Sequence, residues 1–301
     1  MKNLIFLFCC MLVMSFMTTE NADRSQGNVQ AAFDLQGHRG CRGLMPENTV
    51  QAMIMALDLG VTTLEMDVVI SNDKKVVVSH EPWFDHNVTT KPDGNFINEG
   101  EDMQYNIYKM NYEEIAKYDV GMKPYARFPK QQRMKAIKPL LADLLDSVAE
   151  SMMTRRRPFP YFNIETKSLP AGDDRFHPKP AEFVDLLMAV IKEKNVEERV
   201  IIQSFDLRTL QYLHEKYPSI KTSLLIEDSD EEDLEGQLKK LGFTPDIYSP
   251  NHTLVDATMV KQCREKGMKI IPWTVNDAKQ LKKLKKLGVD GVITDYPDTI
   301  K

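Results

Sequence analysis

The sequence is short of features that would point to particular classes of protein. It has four cysteines in 301 residues, no internal repeat and no low-complexity tract. Positive charge is not in excess either, because 39 Lys and Arg residues stand against 44 Asp and Glu, for a formal net charge of −5. A general nucleic-acid binder would normally be basic, so no nucleic-acid partner is expected. An acidic chain that handles an anion must create positive potential locally, with a metal ion or a few placed cations.

Long hydrophobic runs are also missing, apart from one at the start of the chain. Lys2 is followed by an apolar run over residues 4–17, which is too short to span a bilayer comfortably. A positive residue before a short apolar run is typical of an export signal. We therefore expect residues 1–22 to be a signal peptide and the protein to be exported, either to the periplasm or out of the cell. A short membrane anchor is the alternative, and membrane association is expected only if the signal stays uncleaved.

Two cysteines lie outside this leader, Cys41 and Cys263. An oxidising compartment would permit a disulfide between them. The sequence leaves open whether they meet, although two separate buried thiols are the simpler interpretation.

Short β-rich runs alternate with amphipathic segments along the rest of the chain, which predicts parallel strands joined by crossover helices. Only residues 71–75 separate the second and third runs, so these two are expected to form an antiparallel hairpin. Eight parallel strands then remain, which predicts a (β/α)8 TIM barrel over residues 30–301 with one extra antiparallel arm after the second strand. An open doubly wound sheet is the alternative. The strand-like runs are residues 33–37, 62–69, 76–80, 161–166, 199–205, 221–226, 246–250, 269–275 and 291–295.

The alternation is broken between residues 82 and 138, which are rich in Gly, Pro, Asn and charge. One helix is expected there, near Met110 to Tyr118. An insertion of this length next to functional residues is usually a lid or a small cap over the site. We therefore expect residues 82–138 to form a cap within the barrel domain, and a surface excursion without function is the alternative.

Two carboxylates interrupt the second strand. Glu65 and Asp67 are two residues apart, so the alternation of side chains along a strand places both on one face. Burying two like charges together is costly unless a cation neutralises them. Oxygen ligands favour magnesium or calcium over zinc. Glu165, near the end of the next barrel strand, would complete a set of three carboxylates.

The hairpin carries a histidine back towards these carboxylates. A two-residue turn at residues 73–74 would place His80 opposite Asp67, and a turn at residues 72–73 would place it opposite Glu65. Either register predicts that His80 lies beside the carboxylate pair.

Further candidates lie at the ends of other strands, where the side chains of a barrel face the active site. His38 and Arg39 end the first strand. Lys167 follows Glu165 at a spacing of two and offers a positive charge to an anionic group. Gln203 and Trp273 end later strands and are expected to form the wall and floor of a pocket and to bind the substrate there. One such residue would be unremarkable, but so many on one barrel face predict a functional site.

Other polar residues are given structural roles. Asn48 is expected to start the helix that follows it as a cap. The remaining histidines have no evident convergent partners and are expected to be surface or structural residues: His86, His177, His214 and His252.

Several short pieces of the chain, taken together, identify a resemblance. The sequence resembles the glycerophosphodiester phosphodiesterases, in which these pieces occur in the same order. It departs from the common pattern at Glu81, where Asp is frequent, and in the insertion, where NVTTKPDG replaces an Arg-Thr-Thr run. These departures leave the substrate open. The pieces are GHRG, PENT, LEMDV, VVVSHE, NIETK, QSF, WTV and GVDGVITDYP, from residue 37 to residue 297.

The resemblance implies a metal-dependent barrel enzyme that cleaves small glycerophosphodiesters to glycerol 3-phosphate and an alcohol, with Mg²⁺ or Ca²⁺ as cofactor. It gives no oligomeric state. Carried over residue by residue, it implies metal binding by Glu65, Asp67 and Glu165, acid–base catalysis by His38 and His80, and phosphate contacts from Arg39 and Lys167.

The mechanism and the substrate each leave alternatives. The attacking oxygen is either the glycerol 2-hydroxyl, which would give a cyclic phosphate, or water; we expect His38 to act as base and His80 as acid. A phospholipase acting on lysolipid or intact phospholipid is the first alternative function, and it would need an apolar rim on the insertion. A non-enzymatic phosphodiester-binding barrel is the second, and it predicts the loss of a histidine or a carboxylate.

Overall fold

A computed structural model describes residues 33–299, so the expected leader at residues 1–22 lies outside the described residues. Strands and helices alternate along this range, with short 3₁₀ turns between some of them. In chain order the elements are β1 (Asp34–Gly37), α1 (Val50–Asp58), β2 (Thr63–Ile70), β3 (Val76–Val78), α2 (Tyr112–Ile115), α3 (Leu141–Arg155), β4 (Tyr161–Thr166), α4 (Pro180–Glu193), β5 (Val200–Ser204), α5 (Leu207–Lys216), β6 (Lys221–Ile226), α6 (Leu234–Leu241), β7 (Ile247–Pro250), α7 (Ala257–Glu265), β8 (Lys269–Ile270), α8 (Ala278–Leu287) and β9 (Gly291–Thr294).

Eight parallel strands form a nearly closed barrel, as predicted. Neighbouring strands follow the order β8-β7-β6-β5-β4-β2-β1-β9, and β3 pairs with β2 alone, in the antiparallel sense. Hydrogen bonds across the gap between β8 and β9 complete the ring, from Asp290 N to Ile270 O at 3.0 Å and from Ile293 N to Pro272 O at 3.0 Å. The ring excludes the open doubly wound sheet. Strand β8 is shorter than predicted because Pro272 has no N–H to donate to a neighbouring strand.

Local sequence signals account for the helix boundaries that position the strand ends. Asp206, Asp256 and Asp277 each accept a hydrogen bond from the first turn of the helix that follows. Helices α6 and α8 end at Gly242 and Gly288 in the left-handed conformation, which glycine adopts without strain. All of β2 is buried, as expected for a barrel strand covered on both faces.

The hairpin register differs from both predicted registers. Val68 pairs with Val78 and Ile70 with Val76, one position away from either prediction. The turn contains three residues, 72–74, and is closed by a 3.0 Å hydrogen bond from Ser71 N to Lys75 O, with Lys74 in the left-handed region at a φ of 59°. Strand β3 ends at Val78, so His80 lies beyond the strand and not opposite either carboxylate in the ladder.

The insertion packs onto the outer side of the hairpin. Val69 and Val77 of the hairpin form one apolar cluster with insertion side chains that include Phe84, Ile107 and Ile115. The predicted helix is present but short, as α2. The segment thus has its own core and covers the arm that leads to His80.

Cys41 and Cys263 are both buried free thiols, so they do not pair.

Among residues 33–299, none of the helices combines the length and the apolar character that a membrane crossing requires.

Candidate active site

The carboxyl ends of the barrel strands open into one cavity of about 770 Å³. Residues from the insertion, including Trp83 and Arg127, also reach it. Asp67 does not line the cavity, because it lies beneath its floor with 1% of its surface exposed. The other predicted site residues all line it: His38, Arg39, Glu65, His80, Glu165, Lys167, Gln203 and Trp273.

Three buried carboxylates converge at the floor, two lining it and Asp67 directly beneath. Glu65, Asp67 and Glu165 can each present an oxygen within 4.8 Å of the other two. Burial and the neighbouring Asp67 raise the pKa of Glu65, and burial raises the pKa of Glu165 to about 7. Asp67 Oδ1 is buried and has no hydrogen-bond partner among the described residues. An unsatisfied buried oxygen and two destabilised carboxylates together fit a divalent cation with oxygen ligands.

Hydrogen bonds fix two of these carboxylates. Glu65 Oε2 accepts from Arg39 N at 2.7 Å, and Glu65 Oε1 accepts from Gln203 Nε2 at 2.8 Å. Asp67 Oδ2 accepts from Asn48 Nδ2 at 2.8 Å. The expected cap at Asn48 was wrong, because Thr49 caps α1 and accepts from Ala52 N at 3.2 Å. Asn48 instead has a φ of 56°, and its side-chain amide is hydrogen-bonded to Asp67.

His38, His80 and His177 line the cavity, and the side chain of His38 is more buried than that of His80. Its Nδ1 lies 2.6 Å from Asp295 Oδ1. Arg42 Nε donates to the same oxygen at 2.8 Å, and Asn276 Nδ2 donates to Asp295 Oδ2 at 2.7 Å. Burial and the charge of Arg42 lower the pKa of His38 from 6.5 to about 4. The imidazole is therefore neutral at pH 7, with Nδ1 held by a carboxylate.

His80 has a similar partner in a more exposed place. Its Nδ1 lies 2.6 Å from Glu81 Oε1, and its Nε2 lies 3.1 Å from Lys167 Nζ. Lys167 also donates to Glu165 at 2.7 Å. Burial, followed by the charges of Arg39 and Lys167, lowers the pKa of His80. Lys167 thus links the second histidine to the carboxylate floor.

Arg39 places positive charge between the two histidines. Its side chain donates to Glu47 at 2.8 Å and approaches Asp67 Oδ2 at 3.3 Å. Its backbone lies in the left-handed region, at a φ of 49°, which aims its N–H at Glu65. Arg39 and Lys167 are therefore the cationic side chains that lie against the carboxylates and also line the cavity.

Comparison with known proteins decides what kind of site this is. The sequence profile of the glycerophosphoryl diester phosphodiesterase family matches residues 38–299. The chain belongs to this family. It is an enzyme of the phosphodiesterase class, which confirms that prediction and supports glycerophosphodiester hydrolysis.

Individual relatives extend over nearly the same range. A glycerophosphodiester phosphodiesterase from Caldanaerobacter subterraneus subsp. tengcongensis is 29% identical over 267 residues, covering 87% of this chain and 94% of the relative. A solved Silicibacter pomeroyi structure, provisionally named a glycerophosphoryl diester phosphodiesterase, is 30% identical with a TM-score of 0.79 and covers 89% of this chain and 91% of its own. An Oleispira antarctica phosphodiesterase, solved with the product sn-glycerol-3-phosphate, shares the fold at 21% identity and a TM-score of 0.69, over 89% of this chain and 94% of its own.

The sequence analysis did not predict the residues that form hydrogen bonds with the histidines, the arginine and the carboxylates of the cavity. It predicted Gln203 as a substrate contact in the pocket wall and not as a partner of Glu65, and it noted Glu81 only as a departure. The signal that could have found several of them was their presence in the PENT, VVVSHE and GVDGVITDYP pieces. The missed residues are Arg42, Glu47, Asn48, Glu81, Asn276 and Asp295.

Aromatic side chains form the upper walls of the cavity. Trp273 donates from Nε1 to Ser249 O at 2.9 Å and meets Phe205 edge to face, with ring centres 5.5 Å apart. On the side of the insertion, Trp83 meets Phe176 with ring centres 5.1 Å apart. The cavity of this phosphodiesterase is thus charged at its floor and aromatic above it.

The remaining histidines take structural places, with one exception to the expectation. His177 is buried and its Nε2 accepts from Leu169 N at 3.0 Å, and His214 stacks on Phe243. His86 does have convergent partners, because its Nδ1 lies 2.9 Å from Asp102 and 3.6 Å from Asp85. That group is partly exposed, and both oxygens of Asp102 already lie within hydrogen-bond distance of His86 Nδ1.

Proposed function

We propose that this phosphodiesterase releases glycerol 3-phosphate and an alcohol from glycerophosphodiesters by acid–base catalysis between His38 and His80. In this proposal Glu65, Asp67 and Glu165 hold a divalent cation, Mg²⁺ or Ca²⁺. The supporting observation is the convergence of these five side chains around one cavity of about 770 Å³, with an unpaired Asp67 oxygen beneath it.

Charge neutralisation is the first task of such a site. A divalent cation bound by the three carboxylates would withdraw charge from the phosphodiester. Lys167 and Arg39 contribute the cationic side chains of this chain. Lys167 Nζ lies between Glu165 and His80 Nε2, so it can contact a phosphate oxygen from the edge of the floor.

Proton transfer is the second task. His38 is neutral at pH 7 and has Asp295 behind Nδ1, so its Nε2 can accept the proton of the attacking hydroxyl while Asp295 stabilises the imidazolium that forms. His80, with Glu81 behind Nδ1, is assigned the proton donated to the departing alkoxide. Because Lys167 Nζ donates to His80 Nε2 in this structure, Nε2 must first take up that proton, and Lys167 must turn from it to the phosphate. The attacking group is either the glycerol 2-hydroxyl or water, and phosphorus NMR of the reaction separates them by the presence of a cyclic phosphate.

The test is hydrolysis of glycerophosphocholine by the purified protein, with and without EDTA, followed by coupled detection of glycerol 3-phosphate. The expected result is turnover that EDTA removes and that added Mg²⁺ or Ca²⁺ restores. His38→Gln should lose turnover, whereas His214→Gln, which changes an exposed histidine stacked on Phe243, should retain it. Activity that resists EDTA and is unchanged in His38→Gln would refute the proposed mechanism.

The aromatic side of the cavity favours a second candidate, the hydrolysis of lysolipids. Trp83 and Phe176 line the cavity together with Leu169, which is 59% exposed. These residues provide apolar surface at the insertion, where an acyl chain could lie. A substrate panel from glycerophosphocholine to lysophosphatidylcholine of increasing chain length decides between the two, because only a lysolipid hydrolase gains kcat/KM as the chain lengthens.

Export remains a proposal that rests on Lys2 and the apolar run at residues 4–17. N-terminal sequencing of the protein recovered from outside the cytoplasm should find a start between residues 18 and 25. Recovery from the cytoplasmic fraction with Met1 intact would contradict it.

A further inference from the structure

A buried lysine ties the insertion to the hairpin arm that leads to His80. Lys138 is the last residue of the insertion and is 9% exposed. Its Nζ donates to Ser79 Oγ at 2.6 Å and lies 5.4 Å from the centre of the Phe84 ring. Within the described chain this ammonium makes no other side-chain hydrogen bond and no ion pair. A cationic group has therefore been placed in the interior with one neutral partner.

Such a placement is costly for the fold. Burying an ammonium without a carboxylate partner is unfavourable, and an apolar side chain of similar length is often neutral or stabilising at such a position. Burial lowers the pKa of Lys138, while the nearest carboxylates raise it without making contact: Glu47, Asp85 and Glu81. What Lys138 contributes must therefore be sought in its contact with Ser79.

Ser79 stands at a junction of the site. Its N–H donates to Asp67 O at 2.9 Å, and its Oγ donates to Glu81 O at 2.6 Å. Because Lys138 can only donate, it occupies a lone pair of Ser79 Oγ and turns the hydroxyl proton towards the backbone carbonyl of Glu81. Ser79 thus fixes the Glu81 backbone, and the side chain that this backbone carries places Oε1 2.6 Å from His80 Nδ1. Lys138, His80 and Glu81 also line one small cavity of about 130 Å³ beside the main one.

We propose that Lys138 is a positioning residue that orients His80 through Ser79 and Glu81, so that the end of the insertion sets the geometry of one proton-transfer group. The inference rests on the proposed function, in which His80 transfers a proton. It assigns the insertion a role beyond lining the cavity and covering the arm.

Kinetics with a double-mutant cycle provide the first test. Lys138→Met and Ser79→Ala should each lower kcat for glycerophosphocholine by about tenfold with little change in KM, the lower end of the loss typical when a supporting partner is removed. If both act along one path, the double variant should lose no more than the worse single variant. Lys135→Met, an exposed lysine of the same insertion, should match wild type. Wild-type kcat in both single variants, or losses that multiply, would overturn the proposal.

Nitrogen-15 NMR of labelled histidine provides the second test and does not need turnover. The ring signals of His80, assigned by their absence in His80→Asn, should shift in Lys138→Met and in Ser79→Ala, because the tautomer is no longer fixed. A fall in kcat with unchanged His80 signals would mean a merely structural lysine and would overturn the proposal. If the wild type hydrolyses no glycerophosphodiester, the proposed function fails while the NMR still decides the positioning. If Lys138→Met does not fold, Ser79→Ala, which removes one hydroxyl, carries both tests.

Discussion

His38 and His80 are built into the molecule in different ways. His38 follows β1, and its carboxylate partner Asp295 follows β9, 257 positions further along the chain. These strands are neighbours where the barrel closes. His80 lies on the hairpin arm next to its partner Glu81 in sequence, and the insertion covers this arm. The side chain of His38 is 12% exposed, and that of His80 is 27% exposed.

The difference shows that the site has two halves. The barrel half, His38 with Asp295, is fixed by the pairing of strands, whereas the arm half, His80 with Glu81, is fixed by local contacts of the hairpin arm. On the barrel side, Asp295 follows β9 and accepts hydrogen bonds from Arg42 and Asn276, which fix its carboxylate. On the arm side, the geometry depends on a turn, a serine and a lysine from the insertion. Substitutions should therefore be more severe on the barrel side and more graded on the arm side.

The largest expected effect comes from removing either imidazole. His38→Asn and His80→Asn should each lower kcat by about 10²–10⁴-fold, because each removes one proton transfer. Calorimetric titration with Mg²⁺ or Ca²⁺ should give the affinity of wild type in both variants, since the three carboxylates are untouched. A variant that retained kcat within about tenfold of wild type would remove that histidine from the reaction.

The pH dependence of the free energy of unfolding should also differ between the two halves of the site. The folded-state pKa of His38 is about 4 and its ordinary value is 6.5, so the unfolded chain binds the proton first as pH falls. The contribution of a neutral His38 is fully present above pH 6.5 and is lost as pH falls towards 4. A pKa difference of about 2.5 corresponds to about 3 kcal/mol at most.

Thermal unfolding of wild type and His38→Asn between pH 4 and pH 7.5 measures this effect. Relative to wild type, the variant should be more stable at pH 4 than at pH 7.5. His80→Asn should show the same sign and a smaller change, because His80 is more exposed. A stability difference between wild type and His38→Asn that is constant over this range would contradict the buried neutral imidazole.

The barrel half also shows how far sequence reasoning reaches. Strand–helix alternation predicted the ring, and alternation within β2 placed Glu65 and Asp67 on one face, because both are local periodicities. Asp295 was missed because nothing local pairs it with His38. Their contact exists only once β9 has joined β1 and closed the barrel.

The position of His80 near the carboxylates was predicted from the hairpin, but the hairpin register used for that prediction was wrong. His80 does return to the carboxylates, but both predicted registers were wrong. The turn takes three residues because the insertion binds it: Asn72 N donates to Met110 O at 2.9 Å, and Tyr112 N donates to Asp73 Oδ1 at 3.0 Å. Spacing within the hairpin could not reveal contacts from a segment some forty residues away.

A smaller effect is expected from the carboxylates behind the histidines. Asp295→Asn should lower kcat by about 100-fold and Glu81→Gln by about tenfold, because an amide cannot stabilise an imidazolium as a carboxylate does. The order follows exposure, since the side chain of Asp295 is 2% exposed and that of Glu81 is 33% exposed. Asp298→Asn and Glu99→Gln, both exposed, are the matched controls. Equal losses would show that exposure does not separate the two halves.

The smallest expected effect concerns the wall that the insertion adds to the cavity. Trp83→Ala removes the edge-to-face contact with Phe176 and the apolar surface beside it. The lost apolar surface would no longer be covered by an acyl chain, at about 25 cal/mol per Å², so KM for lysophosphatidylcholine should rise by about two- to tenfold while kcat for glycerophosphocholine stays unchanged. Met103→Ala, which changes an exposed apolar residue of the same insertion, should alter neither value. A fall in kcat for glycerophosphocholine in Trp83→Ala would contradict this. It would mean that Trp83, like Lys138, affects proton transfer by His80.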